Sequence, residues 1–259
     1  MAALIEIKKV TKTYQTLEGS ELLALEDISF EVGERQFISI VGASGSGKTT
    51  LLQIMAGLIP KSGGEIRLRG APVDGPQNDI GFVFQQAVLL PWRTVIQNLM
   101  LPVEVMGLDR MRYRGHARDL LALVGLSGFE NKYPFELSGG MQQRVSISRA
   151  LVYDPSVLLM DEPFGALDAM TRENMNLELL RIWQESGKTI VFVTHSIPEA
   201  AFLSDKVVAL TPRPGRVADI IPIDLPRPRH LDMMQSDLFG GYTRRIRALL
   251  GQKSGGGID

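Results

Sequence analysis

Gly42-Ala43-Ser44-Gly45-Ser46-Gly47-Lys48-Thr49 decides the fold of this chain. Before it runs Ile38–Val41, a short apolar, β-branched-rich stretch that reads as a buried strand. After it come Thr50 and the apolar Leu51, Leu52, Ile54 and Met55, which read as a helix. Strand, glycine-rich loop and helix in that order fit the pattern G-x-x-x-x-G-K-[ST]. A loop with few side chains lets backbone N–H groups converge on phosphate oxygens, and the helix N-terminus adds partial positive charge. Gly42, Ser44, Gly45, Ser46, Gly47 and Thr50 are therefore expected around the phosphates of ATP. Lys48 is expected on the β- and γ-phosphates, and the Thr49 hydroxyl on Mg2+. Glycine makes up ~7% of average sequences, so a chance match is roughly a one-in-a-hundred event in a chain of this length. The strand–loop–helix context lowers it further.

Three more apolar runs lead outward from this loop. Val157-Leu158-Leu159-Met160 reads as a parallel strand covered on both faces and ends in Asp161-Glu162. Carboxylates at the C-terminal edge of a parallel sheet face the ligand crevice. Asp161 is expected to hold Mg2+ and Glu162 to act as general base on the attacking water; alone, the pair would read equally well as a loop cap. Thr189–Val193 ends in Thr194-His195, placing a histidine where a γ-phosphate would sit and where it could sense phosphate loss. Phe82-Val83-Phe84 ends in Gln85, whose neutral amide suits a contact to Mg2+ or to the attacking water. A fourth string, Leu137-Ser138-Gly139-Gly140-Met141-Gln142-Gln143-Arg144, opens a helix running to about Val152. Ser138 is a good N-cap, and two glycines permit close backbone approach.

Together these strings resemble the ATP-binding subunits of ABC transporters, from about Leu4 to about Arg229. The LSGGMQQR string is the specific element, since phosphate loops occur in many NTPase families. The resemblance implies an α/β fold: a P-loop NTPase (RecA-like) core with an N-terminal antiparallel β subdomain and an inserted α-helical subdomain. It makes Gln85 the loop glutamine, Glu162 the catalytic carboxylate and His195 the switch histidine. Lys48 and Gln85 join these two in the catalytic set. Ser138, Gly139 and Gly140 would approach the γ-phosphate held by a second copy, and Asp168 would cross the dimer interface. Met141 stands where the commonest pattern has glutamine, which affects only the side-chain role there. Tyr14 would stack on adenine, or equally pack within the N-terminal sheet. The phosphate loop and Ser138 are about 90 residues apart and in this family do not meet within one protomer. A homodimer, head to tail around two ATP molecules, follows as a ligand-dependent switch.

Composition is compatible with this. The chain has 259 residues with 44% hydrophobic content, enough for a sizeable core. Lys and Arg total 28 against 29 Asp and Glu, so bulk charge favours no nucleic-acid partner. There is no cysteine, as suits a reducing compartment. The opening MAALIEIKKV alternates like a strand and lacks a signal-peptide core, and no apolar run nears the ~20 residues of a bilayer span. Membrane association is therefore expected through a partner; the resemblance implies the cytoplasmic face of a bacterial inner membrane.

The ATP-binding domain is expected over 1–225, with strands to about 35 and the inserted helices at about 93–152. Leu120, Leu121, Leu123 and Val124 share a helical face that Gly125 and Gly128 end. Ser196 and Glu199 have capping-box spacing. Val207–Leu210 and Val217–Ile223 read as late strands, and the tail 226–259 as weakly helical, partly flexible and frayed at Ser254–Gly257.

Leu89-Leu90-Pro91-Trp92-Arg93 and the stretch Thr211–Arg229 (TPRPGRVADIIPIDLPRPR) are similar to the nitrate/sulfonate/taurine importer subfamily. Leu90 and Trp92 would form an apolar ledge that receives a helix of a transmembrane permease subunit; burial of Trp92 between lobes is the alternative. The Pro212–Gly215 turn reads as a rigid connector rather than a binding site. An extracytoplasmic solute-binding protein would act indirectly. The resemblance leaves the solute open among nitrate, sulfonates, taurine and a pyrimidine precursor, with a small organic anion, sulfonate first, the leading expectation. A soluble ABC ATPase acting on ribosomes or DNA is the competing function, and a small-molecule kinase is contradicted by the signature string.

Overall fold

The polar loop ends and buried strand runs of the sequence build ten strands and eight α-helices among the described residues. In chain order the strands are β1 (Ala3–Gln15), β2 (Glu21–Gly33), β3 (Phe37–Val41), β4 (Gly63–Leu68), β5 (Ala71–Pro72), β6 (Ile80–Val83), β7 (Val157–Asp161), β8 (Thr189–Val193), β9 (Lys206–Leu210) and β10 (Val217–Pro222). The helices are α1 (Lys48–Met55), α2 (Val95–Leu99), α3 (Leu101–Val105), α4 (Arg110–Leu123), α5 (Gly139–Leu151), α6 (Ala169–Ser186), α7 (Ile197–Leu203) and α8 (Asp237–Gly251). This computed structural model describes residues 3–16 and 19–251. The expected fraying at Ser254–Gly257, like Met1 and Ala2 of the opening strand, lies outside the described residues.

The chain divides into two units, Met1–Gln77 with Val191–Asp259, and Asn78–Ile190. In the first, β2-β1-β4-β5 form an antiparallel sheet. Its alternating residues Ile5, Ile7, Ile28, Phe30, Val32 and Ile66 are buried. The same unit holds β10, β9 and β3 in that order, with β3 parallel to β9 and β10 antiparallel to it. Every residue of β3 is buried, as a parallel strand covered on both faces requires. Phe37 of β3 packs on Phe192 of β8, ring centroids 6.0 Å apart.

In the second unit β6 and β7 pair in parallel, and the helices α2 to α6 accompany them. The longer helices each start on a side chain that accepts from an otherwise unpartnered backbone N–H of the first turn. Asp109 caps α4, Ser138 caps α5 and Asp168 caps α6. Gly125, at φ 67°, follows the C-terminus of α4, and Gly187, at φ 64°, closes α6. Thr94 and Gln97 form a capping box at α2.

The tail departs from the weak helix expected. α8 runs for 15 residues, burying Phe239 and Ile246, which lie seven residues apart and so on one face. The Tyr242 hydroxyl accepts from the Asp224 N–H at 3.0 Å, and Arg245 bonds Asp219 of β10 at 2.8 Å. Gly240 and Gly241 lower intrinsic helix propensity, which hid a helix held by tertiary contacts. No helix among the described residues is long and apolar enough to cross a membrane.

Candidate nucleotide site

In the first unit the loop Gly42–Gly47 joins β3 to α1. Ser46 N–H donates to the Ala43 carbonyl at 3.1 Å, and Gly47 takes φ 87° as the N-cap. That left-handed conformation suits glycine. No side chain caps α1, and no acidic residue lies in its first turn. A helix start with no side-chain cap and no acidic first turn suits an anion. Gly42 is tightly enclosed: a Cβ there would lie 2.5 Å from Ser46 Oγ and 3.3 Å from Leu210 Cβ, so the serine side chain would have to turn to admit it. That hydroxyl is itself buried without a hydrogen-bond partner among the described residues. Ala43, Ser44, Gly45 and Thr49 are exposed, whereas Lys48 is buried, its ammonium donating to the carbonyls of Gly42 at 3.0 Å and Ala43 at 3.1 Å. The lysine is folded across the rim of the cradle its loop forms.

Two further residues lie in this unit. Tyr14 of β1 is half-buried. Its hydroxyl lies 3.3 Å from Thr50 Oγ1 and the Lys12 ammonium sits 4.8 Å from its ring centroid. β8 lies beside β3, Thr194 N–H donating to the Ile40 carbonyl at 3.3 Å, so His195 leaves the sheet at the edge from which the phosphate loop leaves. His195 is exposed. The buried Thr194 hydroxyl donates to Glu199 of α7 at 2.5 Å, while Ser196 caps that helix by accepting from the Glu199 N–H. The capping-box spacing is thus half used, because the Glu199 carboxylate is drawn to Thr194.

In the second unit the register Val83↔Met160 sends Gln85 and the Asp161-Glu162 pair off the same edge of adjacent parallel strands. Gly165 marks where they meet. A Cβ there would lie 3.4 Å from the Glu162 carbonyl oxygen and 3.6 Å from the Gln85 amide nitrogen. Glu162 has φ 43°, a left-handed conformation costly for a residue with a Cβ, by about 1–3 kcal/mol. The Gly165 N–H donating to the Glu162 carbonyl at 3.1 Å supports this turn. Ser138 accepts from the Met141 N–H at 3.3 Å and leaves Gly139 exposed at the start of α5. Asp168 accepts from the Thr171 N–H at 3.0 Å, and bonds from the Thr171 side chain and backbone hold its carboxyl below the usual value.

The loop after Gln85 is gripped by the helix that Ser138 starts. Arg149 of α5 donates to the carbonyls of Val88 at 2.8 Å and Ala87 at 2.9 Å, and Gln143 donates to the Phe84 carbonyl at 3.4 Å. Buried Asn98 holds the next stretch. Its oxygen accepts from Leu90 N–H at 2.8 Å, and its nitrogen shares two hydrogens among the carbonyls of Leu90, Arg93 and Thr94 at 3.0–3.1 Å. On that frame Trp92 stands 71% exposed.

The ABC transporter family model matches residues 25–165, more than half the chain. The chain belongs to the ABC transporter family of ATP-binding cassettes. It is 49% identical to an uncharacterised ABC transporter ATP-binding protein of Methanocaldococcus jannaschii, over 96% of this chain and 92% of the relative. It is 47% identical to the taurine import ATP-binding protein TauB of Pseudomonas entomophila, over 86% of this chain and 85% of that protein. Among solved structures it is similar to a dimeric cassette in a post-hydrolysis state bound to ADP and Pi, at TM-score 0.74 and 34% identity, covering 86% of this chain and 100% of that one. The cassette is thus an ATPase of the transporter class, with the α/β architecture its sequence implied.

Sequence reading of the cassette missed Arg149, Gln143, Asn98 and Gly165. Nothing in residue type separates Arg149 from a solvated helical arginine; its role depends on where the Ala87-Val88 carbonyls arrive. The strain at Glu162 left no trace in the sequence either, since backbone conformation there is imposed by the turn to Gly165.

Proposed function

We propose that this cassette hydrolyses ATP to drive import of a small solute of the taurine, sulfonate or nitrate type, as a head-to-tail homodimer on a pair of permease subunits. The observation that carries the solute class is the 47% identity to a taurine import ATP-binding protein over most of both chains. In this reading the Gly42–Thr50 loop binds the β- and γ-phosphates, with Lys48 leaving the Gly42 and Ala43 carbonyls for phosphate oxygens. Tyr14 meets the adenine. Glu162 takes the proton of the attacking water, its strained turn fixing the carboxylate's direction. Thr49, Asp161 and Gln85 are hard oxygen donors that fit Mg2+, which favours few protein ligands and nucleotide phosphates and would neutralise phosphate charge when bound. His195 reads the γ-phosphate. Ser138, Gly139 and Gly140 of one copy close on the nucleotide of its partner, and Asp168 lies at the same interface.

Coupling to the permease follows the chain of contacts in the second unit. Arg149 ties α5 to the loop after Gln85, Gln143 ties it to Phe84 just before that residue, and Asn98 ties the loop to α2. A movement of the Ser138 helix is therefore transmitted to Leu90 and exposed Trp92, where a permease helix docks. A solute-binding protein delivers the solute from the other side, and the cassette is peripheral to the membrane. The test is to tag the chain, extract its native membranes in mild detergent and identify what co-purifies. A multispanning permease encoded beside a solute-binding protein is expected; recovery with ribosomes or DNA-repair proteins alone would overturn the importer reading.

A further inference from the structure

The turn Thr211–Arg216, which joins β9 to β10, has no part in the nucleotide chemistry described above, yet it lies directly against the phosphate loop. A Cβ built on Gly215 would fall 2.1 Å from the Ser46 carbonyl oxygen and 3.2 Å from its carbonyl carbon. The oxygen is the nearer of the two by most of the ~1.23 Å C=O bond length. The Ser46 carbonyl therefore points toward the side-chain position of Gly215. A trans peptide places the N–H of the next residue antiparallel to that carbonyl. The Gly47 N–H is accordingly aimed away from Gly215.

Gly215 is itself held from the other side. Its N–H donates to the Ala24 carbonyl at 2.9 Å and its carbonyl accepts from the Glu26 N–H at 2.9 Å, a parallel bridge to β2. Arg216 adds two bonds to Glu26 Oε2 at 2.7 and 3.1 Å. The Thr211 hydroxyl closes the turn, donating to the Pro214 carbonyl and accepting from the Arg216 N–H, both at 3.0 Å. Leu25, fully buried between these bonds, completes the support: a Cβ on Gly47 would lie 2.5 Å from its side chain. β2, the turn and the Ser46-Gly47 peptide are stacked with no room for a methyl group at Gly215.

The geometry points to Gly215 as a positioning residue for nucleotide binding: the turn is a floor that sets the plane of the Ser46-Gly47 peptide and so the aim of the Gly47 N–H at phosphate. This rests on reading Gly42–Thr49 as the phosphate cradle. The φ of Gly215 lies outside the left-handed region, so alanine meets only the spatial conflict. Pushing the Ser46 carbonyl away turns the peptide and spoils a charge-assisted bond.

The experiment compares wild type, Lys48→Ala, Gly215→Ala and Thr211→Val. The readouts are affinity for a fluorescent ATP analogue, KM and kcat for ATP hydrolysis, and thermal midpoint without nucleotide. Gly215→Ala is expected to raise Kd and KM about tenfold with kcat at saturating ATP within about twofold, the loss of one charge-assisted bond. A merely structural defect would instead lower the active fraction, reducing kcat with KM unmoved. Thr211→Val, which deletes the closing hydroxyl and adds no bulk, is expected to raise KM about threefold and decides the matter if Gly215→Ala does not fold. Unchanged Kd and KM in the folded variants, with Lys48→Ala weakened, overturns the floor. Unchanged Kd in Lys48→Ala overturns the cradle reading on which it stands.

Discussion

At the scale of single residues, the lysine of the phosphate loop is pre-folded onto two backbone carbonyls. On the proposed reading those bonds are exchanged for phosphate contacts on binding. Lys48→Ala removes a charged donor and is expected to weaken ATP binding on the order of tenfold to a hundredfold, measured by titration of a fluorescent nucleotide. An unchanged Kd would contradict the assignment. Tyr153 supplies a pH-dependent test of packing. Its hydroxyl donates to the Ile80 carbonyl at 2.9 Å, and burial, with the nearby Asp79 charge, pushes its pKa up to about 12 from 10.0. Between pH 10 and 12 the unfolded chain loses the phenol proton while the folded chain keeps it, so stability falls as pH rises through that window. Tyr153→Phe lacks that proton. The stability gap between wild type and variant, measured by urea unfolding, should narrow from pH 9 to pH 11; a constant gap would show that the phenol is not shielded.

At the scale of elements, α7 shows how a tail fixes a helix that follows a functional loop. Its last carbonyls have no intrahelical partners. Arg229, 4% exposed, donates to the Phe202 carbonyl at 2.6 Å and the Ser204 carbonyl at 2.8 Å. Arg227 reaches the Leu203 carbonyl at 2.9 Å and pairs with Asp205. Burial lowers the Arg229 pKa to about 10, which leaves it cationic at neutral pH and complementary to the helix C-terminus. Arg229→Met keeps most of the volume and deletes both bonds. A loss of about 3 kcal/mol is expected in urea unfolding, because two buried carbonyls lose charged donors. A change below about 0.5 kcal/mol would mean that water replaces the clamp. The proline- and arginine-rich spacing of this tail was visible in the sequence, but its use as a helix cap was not: the carbonyls it serves lie more than 20 residues earlier.

At the scale of the whole molecule, the proposed cycle is association and release of two copies. On that proposal Ser138 and the phosphate loop each supply half of a nucleotide's surroundings, so ATP that is bound and not cleaved should hold the dimer. Glu162→Gln keeps the shape and removes the base. It is expected to bind ATP with near-native affinity, to hydrolyse it at least a hundredfold more slowly, and to elute as a dimer only when ATP is present. A monomer at saturating Mg-ATP would count against the head-to-tail arrangement in the isolated chain. Ready hydrolysis would remove Glu162 from the role of base.

The phosphate loop, the signature string and the carboxylate pair were legible in the sequence because their chemistry demands particular residue types at fixed spacing. So were the buried strands, since a parallel strand covered on both faces must be apolar throughout. Tertiary structure alone decided the supports: the Ser46 carbonyl aimed at Gly215, the positive φ of Glu162, Arg149 on the Gln85 loop, and Trp92 exposed on the frame of Asn98. Each depends on where a distant backbone segment arrives, and a side chain's type and neighbours in sequence carry no record of that.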